Sequence, residues 1–259
     1  MLHVETDGPV RILTLDRPEA KNAIDPAQAE ALCDAFRAIE TDETIRATVL
    51  TGAGQTFCAG ADLKAVAAGA FDWSKLLHDG PLGPTRWHFS KPVIAAVEGY
   101  CVAGGLELAL MCDLRIASET AIFGTFERRW GVPLVDGGTV RLPRLIGQSR
   151  ALDMILTGRP VKADEALAFG LANRVVPTGA ARAHAIEIGK DLAAFPQACM
   201  LNDRASVYEQ WSLPMDAALQ NEASHGLDSV AHGTNDGARK FAEGAGRGGN
   251  FDEHYAPRQ

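Results

Sequence analysis

Short β-rich runs that stop at glycine and hand over to helical spacing restrict the fold of this chain more than any other feature. Residues 10–15 alternate with period two and predict a strand. Asp25-Pro26 then supplies an N-cap followed by proline at the first helical position. Leu32, Phe36 and Ile39 recur at helical intervals, so 26–41 is predicted as an amphipathic helix. Residues 47–51 form a second β-rich run, closed by Gly52-Ala53-Gly54. Residues 92–97 form a third, which Gly99 breaks, and the segment from Gly104 reads as a helix. Further short strands are expected at 114–117 and 121–123. Strands alternating with helices in this way indicate an α/β architecture with crossover connections.

From residue 137 onward the pattern is almost wholly helical. Segments 149–157 and 163–169 each close on a glycine, Gly158 and Gly170, where a left-handed residue ends a helix. Longer helices are expected at 180–195, 197–211 and 215–231. The expected division is therefore an α/β core over 1–195 and a helical region over 196–259, ending in a loose glycine-rich tail after Gly244. The helical region carries Met200, Val207, Trp211, Leu213, Leu219, Leu227 and Val230, more apolar surface than a loosely attached tail should expose. Segment 66–90 breaks the pattern, with Gly69, Gly80, Pro81, Gly83 and Pro84 beside Phe71, Trp73, Trp87 and Phe89. It reads either as an irregular surface loop with a few buried rings or as a mobile wall of an apolar ligand pocket.

Composition removes several functions. With 33 acidic against 25 basic residues the net charge is −8, and the basic residues occur only as short pairs such as Arg128-Arg129 and Arg239-Lys240. A nucleic-acid or membrane-surface partner would need a basic face, so neither is expected. Five cysteines (Cys33, Cys58, Cys101, Cys112, Cys199) are scattered and never spaced as CxxC, which fits neither a disulfide framework nor a zinc site. They suit small buried hydrophobes in a reducing, cytoplasmic compartment. The N-terminus lacks a basic region followed by an apolar core, and no apolar stretch is long enough to span a bilayer.

Two glycine-bearing segments follow strands: 56–64 (Thr-Phe-Cys-Ala-Gly-Ala-Asp-Leu-Lys) and 98–109 (Glu-Gly-Tyr-Cys-Val-Ala-Gly-Gly-Leu-Glu-Leu-Ala). Glycine there lets backbone N–H groups face a cleft unobstructed, and in the second segment they lie at a helix start where donors are unpaired. Two such donors converging on one point would make an oxyanion hole; the alternative is a pair of ordinary tight turns. Glu107 has only apolar neighbours, so its face reaches a polar site or its pKa is tuned. Glu127, beside Arg128 and Arg129, reads by itself as a salt-bridged surface carboxylate.

Together these pieces resemble the crotonase superfamily, specifically the enoyl-CoA hydratase/isomerase family, across nearly the whole chain. The resemblance runs through 17–23 (Arg-Pro-Glu-Ala-Lys-Asn-Ala), 57–63, 91–99, 103–109, Phe123-Gly124, Gly137-Gly138-Thr139, 141–147, 156–158 and 163–171. It implies a crotonase (ClpP-like) fold of repeated ββα units with a C-terminal helical trimerisation region, assembled as a homotrimer or a dimer of trimers. It implies that the amides of Ala61 and Gly104 form the oxyanion hole and that Glu107 and Glu127 are the two catalytic carboxylates. It sets Ala59, Asp62, Leu63, Lys64, Trp130, Asp136 and Phe241 against the substrate. The implied reaction is addition of water to a trans-2-enoyl-CoA. It uses no metal or redox cofactor, and coenzyme A enters as part of the acyl-CoA substrate. The alternatives are an enoyl-CoA isomerase or another enolate-forming acyl-CoA lyase, and a binding or scaffold protein that keeps the fold without turnover.

This chain departs from the family pattern after Glu127. Ordinary hydratases continue with aliphatic residues and Pro-Gly; here the run is Arg128-Arg129-Trp130-Gly131-Val132-Pro133-Leu134-Val135-Asp136. Asp136 replaces a small residue near the expected site. It is either an N-cap for the Gly137-Gly138-Thr139 helix start or a third acid/base group.

Overall fold

The strands β1 (Leu2–Asp7) and β2 (Val10–Leu15) form a hairpin whose turn contains Gly8 in the left-handed region. In the computed structural model, which describes residues 1–77 and 80–246, Val10, Ile12, Leu13 and Leu15 of β2 are buried on its two faces while Arg11 and Thr14 are partly exposed. Asp25 caps α1 (Pro26–Thr41) by accepting from the Gln28 amide at 2.8 Å, and Leu32, Phe36 and Ile39 turn inward as their spacing predicts. Phe36 stacks on Phe89 with ring centroids 4.4 Å apart, so part of the 66–90 segment belongs to the core.

Three successive units then repeat one topology. The first is β3 (Ala47–Gly52), β4 (Thr56–Cys58) and α2 (Leu63–Ala67). The second is β5 (Val93–Val97), β6 (Tyr100–Val102) and α3 (Gly104–Met111). The third is β7 (Leu114–Ser118), β8 (Ile122–Gly124) and a 3₁₀ turn over Phe126–Trp130. In each unit the first strand enters a six-stranded sheet and the second enters a four-stranded sheet. Helices α4 (Gly138–Ile146) and α5 (Gln148–Thr157) follow, then β9 (Val161–Lys162), α6 (Ala163–Phe169), β10 (Arg174–Val176) and α7 (Ala181–Ala194).

The large sheet has the order β1-β2-β3-β5-β7-β10, parallel except for β1; the small one is β4-β6-β8-β9, parallel except for β9. The almost wholly helical pattern expected after 137 is interrupted by β9 and β10, two and three residues long, too short to carry a period.

The described chain forms two compact units, Met1–Lys190 and a helical one that begins at Asp191, inside α7 rather than after it. The second contains α8 (Gln197–Glu209), α9 (Met215–Ser229) and α10 (Asn235–Ala242). Within it Asn202 of α8 reaches Asp228 and Ser229 of α9, and His225 reaches Glu209. The tail from residue 247 lies outside the described residues. Cys33, Cys58, Cys101 and Cys112 are buried, whereas Cys199 is exposed. No described helix is long and apolar enough to cross a membrane.

Candidate active site

Because β4, β6 and β8 lie side by side in the small sheet, the strand-to-helix junctions of three consecutive units meet at one end of it. Those junctions are Ala59–Asp62, Ala103–Gly104 and Thr125–Glu127. They open onto a cleft lined by Ala59, Ala61, Gly104, Glu107, Glu127 and Asp136 on its polar side. Phe71, Trp73, Leu82, Phe126, Trp130 and Val132 are among the residues of its apolar wall.

Each junction is held by identifiable contacts. Buried Asn22 donates through its Nδ2 to the carbonyls of Ala53 and Thr56 and accepts from the Arg17 amide, which fixes the start of the first junction. Ile24 then bonds on both sides of Ala61: its amide donates to the Gly60 carbonyl and its carbonyl accepts from the Asp62 amide, each at 2.8 Å. In extended chain this alternation turns the Ala61 N–H the other way. At the second junction Ala103 is left-handed (φ 53°, ψ −132°), its amide donating to the Gly124 carbonyl. That sharp turn starts α3 at once and leaves the Gly104 amide without an intrahelical acceptor. Among the described residues neither the Ala61 nor the Gly104 amide has an acceptor. The backbones approach closely: a Cβ on Gly60 would sit 2.7 Å from the Gly104 nitrogen, and one on Gly104 would sit 3.5 Å from the Ala61 nitrogen.

The carboxyls come from the second and third units. Glu107, one turn into α3, is buried, and its Oε1 accepts from the amides of Asp136 at 2.9 Å and Gly138 at 2.7 Å. Glu127 is also buried, and neither of its oxygens has a partner from another described residue. That overturns its reading as a salt-bridged surface group. Burial raises Glu107 to about 8, helped by the neighbouring charges of Asp136 and Glu127 and opposed by its two backbone donors. Burial likewise raises Glu127 to about 7, opposed by its own backbone amide and then by Arg128. Two carboxyls lifted towards neutrality in one cleft can hold and exchange a proton. Among the described residues no group of three or more His, Cys, Asp or Glu is arranged to hold a metal.

Residues 5–246 match the enoyl-CoA hydratase/isomerase family. The chain belongs to it. It is 36% identical over 248 residues to the enoyl-CoA hydratase EchA19 of Mycobacterium tuberculosis, covering 93% of this chain and 92% of that protein. It is 38% identical over 250 residues to the (E)-benzylidenesuccinyl-CoA hydratase of Thauera aromatica, covering 93% and 95%. The crystal structure of enoyl-CoA hydratase EchA1 from Mycobacterium marinum superposes with a TM-score of 0.87 at 34% identity, over 93% of this chain and 95% of that one. The expected crotonase fold is thus the observed one.

Around the family's cleft the residues expected to touch substrate divide. Ala59, Leu63, Trp130 and Asp136 line it, Trp130 being 71% exposed. Asp62 instead caps α2, accepting from the Lys64 amide, and pairs with Arg17 at 2.9 Å. Lys64 is not among the lining residues, and Phe241 lies on α10 of the second unit, 63% exposed. The capping expectation for Asp136 fails. The N-cap of α4 is Gly137, with no side-chain bond, and the carboxylate at that helix start belongs to Glu107. Of the four rings in the 66–90 segment, Phe71 and Trp73 line the cleft. Leu82, Val132 and Val135 carried no sequence signal, since single aliphatic residues in loops look alike wherever they point.

Proposed function

We propose that this chain hydrates trans-2-enoyl-CoA thioesters. The observation that carries the reading is one cleft in which two acceptor-free amides face two buried carboxyls with raised pKa values. Charge that develops on the thioester oxygen during addition at C3 would be met by the Ala61 and Gly104 amides. Each such donor stabilises a transition state by roughly 3–4 kcal/mol. A carboxyl pair that shares one proton presents an anion and an acid, the charge state addition of water requires. We assign water activation to Glu107, whose anion has two backbone donors, the Asp136 and Gly138 amides, and proton delivery at C2 to Glu127, which has none from another described residue. The acyl chain would lie along Phe71, Trp73, Leu82 and Trp130. This chemistry draws on protein groups and on the coenzyme A of the substrate.

Asp136, a third buried acid in the cleft, favours a second reading as an isomerase or another enolate-forming lyase. Its Oδ1 already accepts two protein donors, which leaves the hydratase reading the stronger. Incubation with a panel of 2-enoyl-CoA chain lengths and their 3-enoyl isomers, read by mass spectrometry, separates the two. Gain of one water from 2-enoyl substrates is expected. Conversion of 3-enoyl isomers without hydration would overturn the proposal.

We further propose assembly as a homotrimer or a dimer of trimers. The second unit leaves Val207, Trp211, Met215, Leu219, Leu227 and Val230 each more than half exposed, an apolar surface that a partner copy would cover.

A further inference from the structure

The mechanism proposed above leaves Asp136 without a part, yet the site closes around it. Its Oδ1 accepts from the Leu82 amide at 3.1 Å and from the Thr85 hydroxyl. The turn that carries these donors starts at Gly80, where any Cβ would collide with Thr85 Oγ1 and Asp136 Oδ1, so it wraps the carboxylate at closest approach. Leu82, seated by that bond, places its Cδ1 in the space that a Cβ on Gly104 would occupy. On its other side the Asp136 amide donates to Glu107 Oε1. Asp136 therefore touches the pocket wall, the residue packed on one proposed oxyanion donor, and one proposed acid/base group.

We infer that Asp136 is a positioning residue that seats the Gly80–Thr85 turn on Gly104 and keeps a negative charge beside Glu107. This rests on the reading of Gly104 as an oxyanion donor and Glu107 as an acid/base group. The charged groups around the Asp136 carboxylate are Glu107 from α3, Arg86 from the segment after the turn, and Arg141 from α4. Arg86 and Arg141 donate to the carbonyls of Val135 and Asp136 respectively, on the backbone side. The like charge of Asp136 is the second cause, after burial, of the raised Glu107.

Two substitutions separate the two parts. Asp136→Asn keeps an oxygen for Leu82 and Thr85 but removes the charge. Thr85→Val keeps the charge but removes one bond of the turn. The readouts are the pH dependence of kcat/KM with the best 2-enoyl-CoA of the panel, and the red shift of a bound para-amino cinnamoyl-CoA, whose absorption moves as its carbonyl is polarised. In Asp136→Asn the limb that reports Glu107 should move down by about one pH unit, the scale of one close charge, with the red shift retained. In Thr85→Val that limb should stay in place while the red shift shrinks and kcat falls more than KM rises; Thr85→Ser should restore both. An unmoved limb in Asp136→Asn, or a full red shift in Thr85→Val, overturns the inference while the hydratase reading stands. A wild-type protein with neither turnover nor red shift overturns the hydratase reading and the inference together.

Discussion

Gly104→Ala should remove most of the activity while leaving the protein folded, and the reason is geometric. The new Cβ would overlap Leu82 Cδ1, the far end of a flexible side chain, and would lie 3.4 Å from Gly60 Cα and 3.5 Å from the Ala61 nitrogen. Leu82 can swing away, so the folding cost is that of mild overpacking, ~1–3 kcal/mol. Replacing a helical glycine by alanine recovers up to about 1 kcal/mol. The net change corresponds to a fall in Tm of a few degrees for a chain of this size. The cleft has no such latitude, because the methyl stands between the two amides that would share the thioester oxygen. Losing one donor costs about 10²–10³ in kcat. The adjacent glycine is the control. A Cβ on Gly105 would strike the backbone carbonyl of Cys58, which cannot move without shifting β4, so Gly105→Ala should destabilise more than Gly104→Ala. Steady-state kinetics and thermal melting of both variants test this. Gly104→Ala with kcat within threefold of wild type would refute the oxyanion assignment.

Glu107→Gln and Glu127→Gln keep shape but remove the acid/base function, and each should cut hydration by about 10²–10⁴-fold; near-normal turnover in either would exclude a two-carboxylate mechanism. Raised carboxyl pKa values mean that the folded protein keeps protons the unfolded chain has released above its ordinary 4.5, so these groups make stability fall as pH rises from about 4.5 towards 8, by ~1.4 kcal/mol per pH unit for each retained proton. Glu127→Gln should therefore melt above wild type at pH 8 and level with it at pH 4.5, and an equal offset at both would contradict the buried-acid account. Light scattering should give a mass near three or six times 27.6 kDa, and a stable monomer at micromolar concentration would contradict the proposed assembly.

How much of this was legible in the sequence follows from how local each signal is. The helix over 26–41 was legible to the residue, because Asp25-Pro26 marks its start and its apolar stripe lasts four turns. Residues 92–97 and the turn into α3 were legible because glycine interrupts a β-rich run. That β4, β6 and β8 would be neighbours was not, since each is three residues long and its pairing is set by the larger strands that precede it. Glu107 stood out by its apolar neighbours. Glu127 did not, because Arg128 and Arg129 beside it suggested a solvated face. In the structure Arg128 bonds the Ile155 carbonyl and Arg129 lies over the Phe126 ring, and neither donates to the glutamate. Asp136 was read from its place before a helix start, but a backbone amide of the same residue, not its side chain, serves Glu107 there.

The cleft also weighs against a scaffold that keeps the fold without turnover. Elsewhere in Met1–Lys190 local preference and structure agree for the most part: strands are β-rich and α1 is capped by Asp25, although Lys21 and Asn22 also hold positive φ and Gln28 and Thr48 bury side-chain atoms without a partner among the described residues. At the cleft several rules are broken together. Ala103 holds a positive φ, which costs on the order of 1–3 kcal/mol. Glu127 buries two oxygens with no donor from another described residue, and Glu107 and Asp136 are buried beside each other although burial raises both and the charge of Asp136 raises Glu107 further. Neither the Ala103 turn nor the unpartnered Glu127 carboxyl supports the core. A chain that only had to fold would be more stable with glycine at 103 and glutamine at 127. Departures from local preference that gather at one cleft are the expected mark of a functional site. Here each of them orients an amide, holds a proton or places a carboxyl where a reacting thioester would lie.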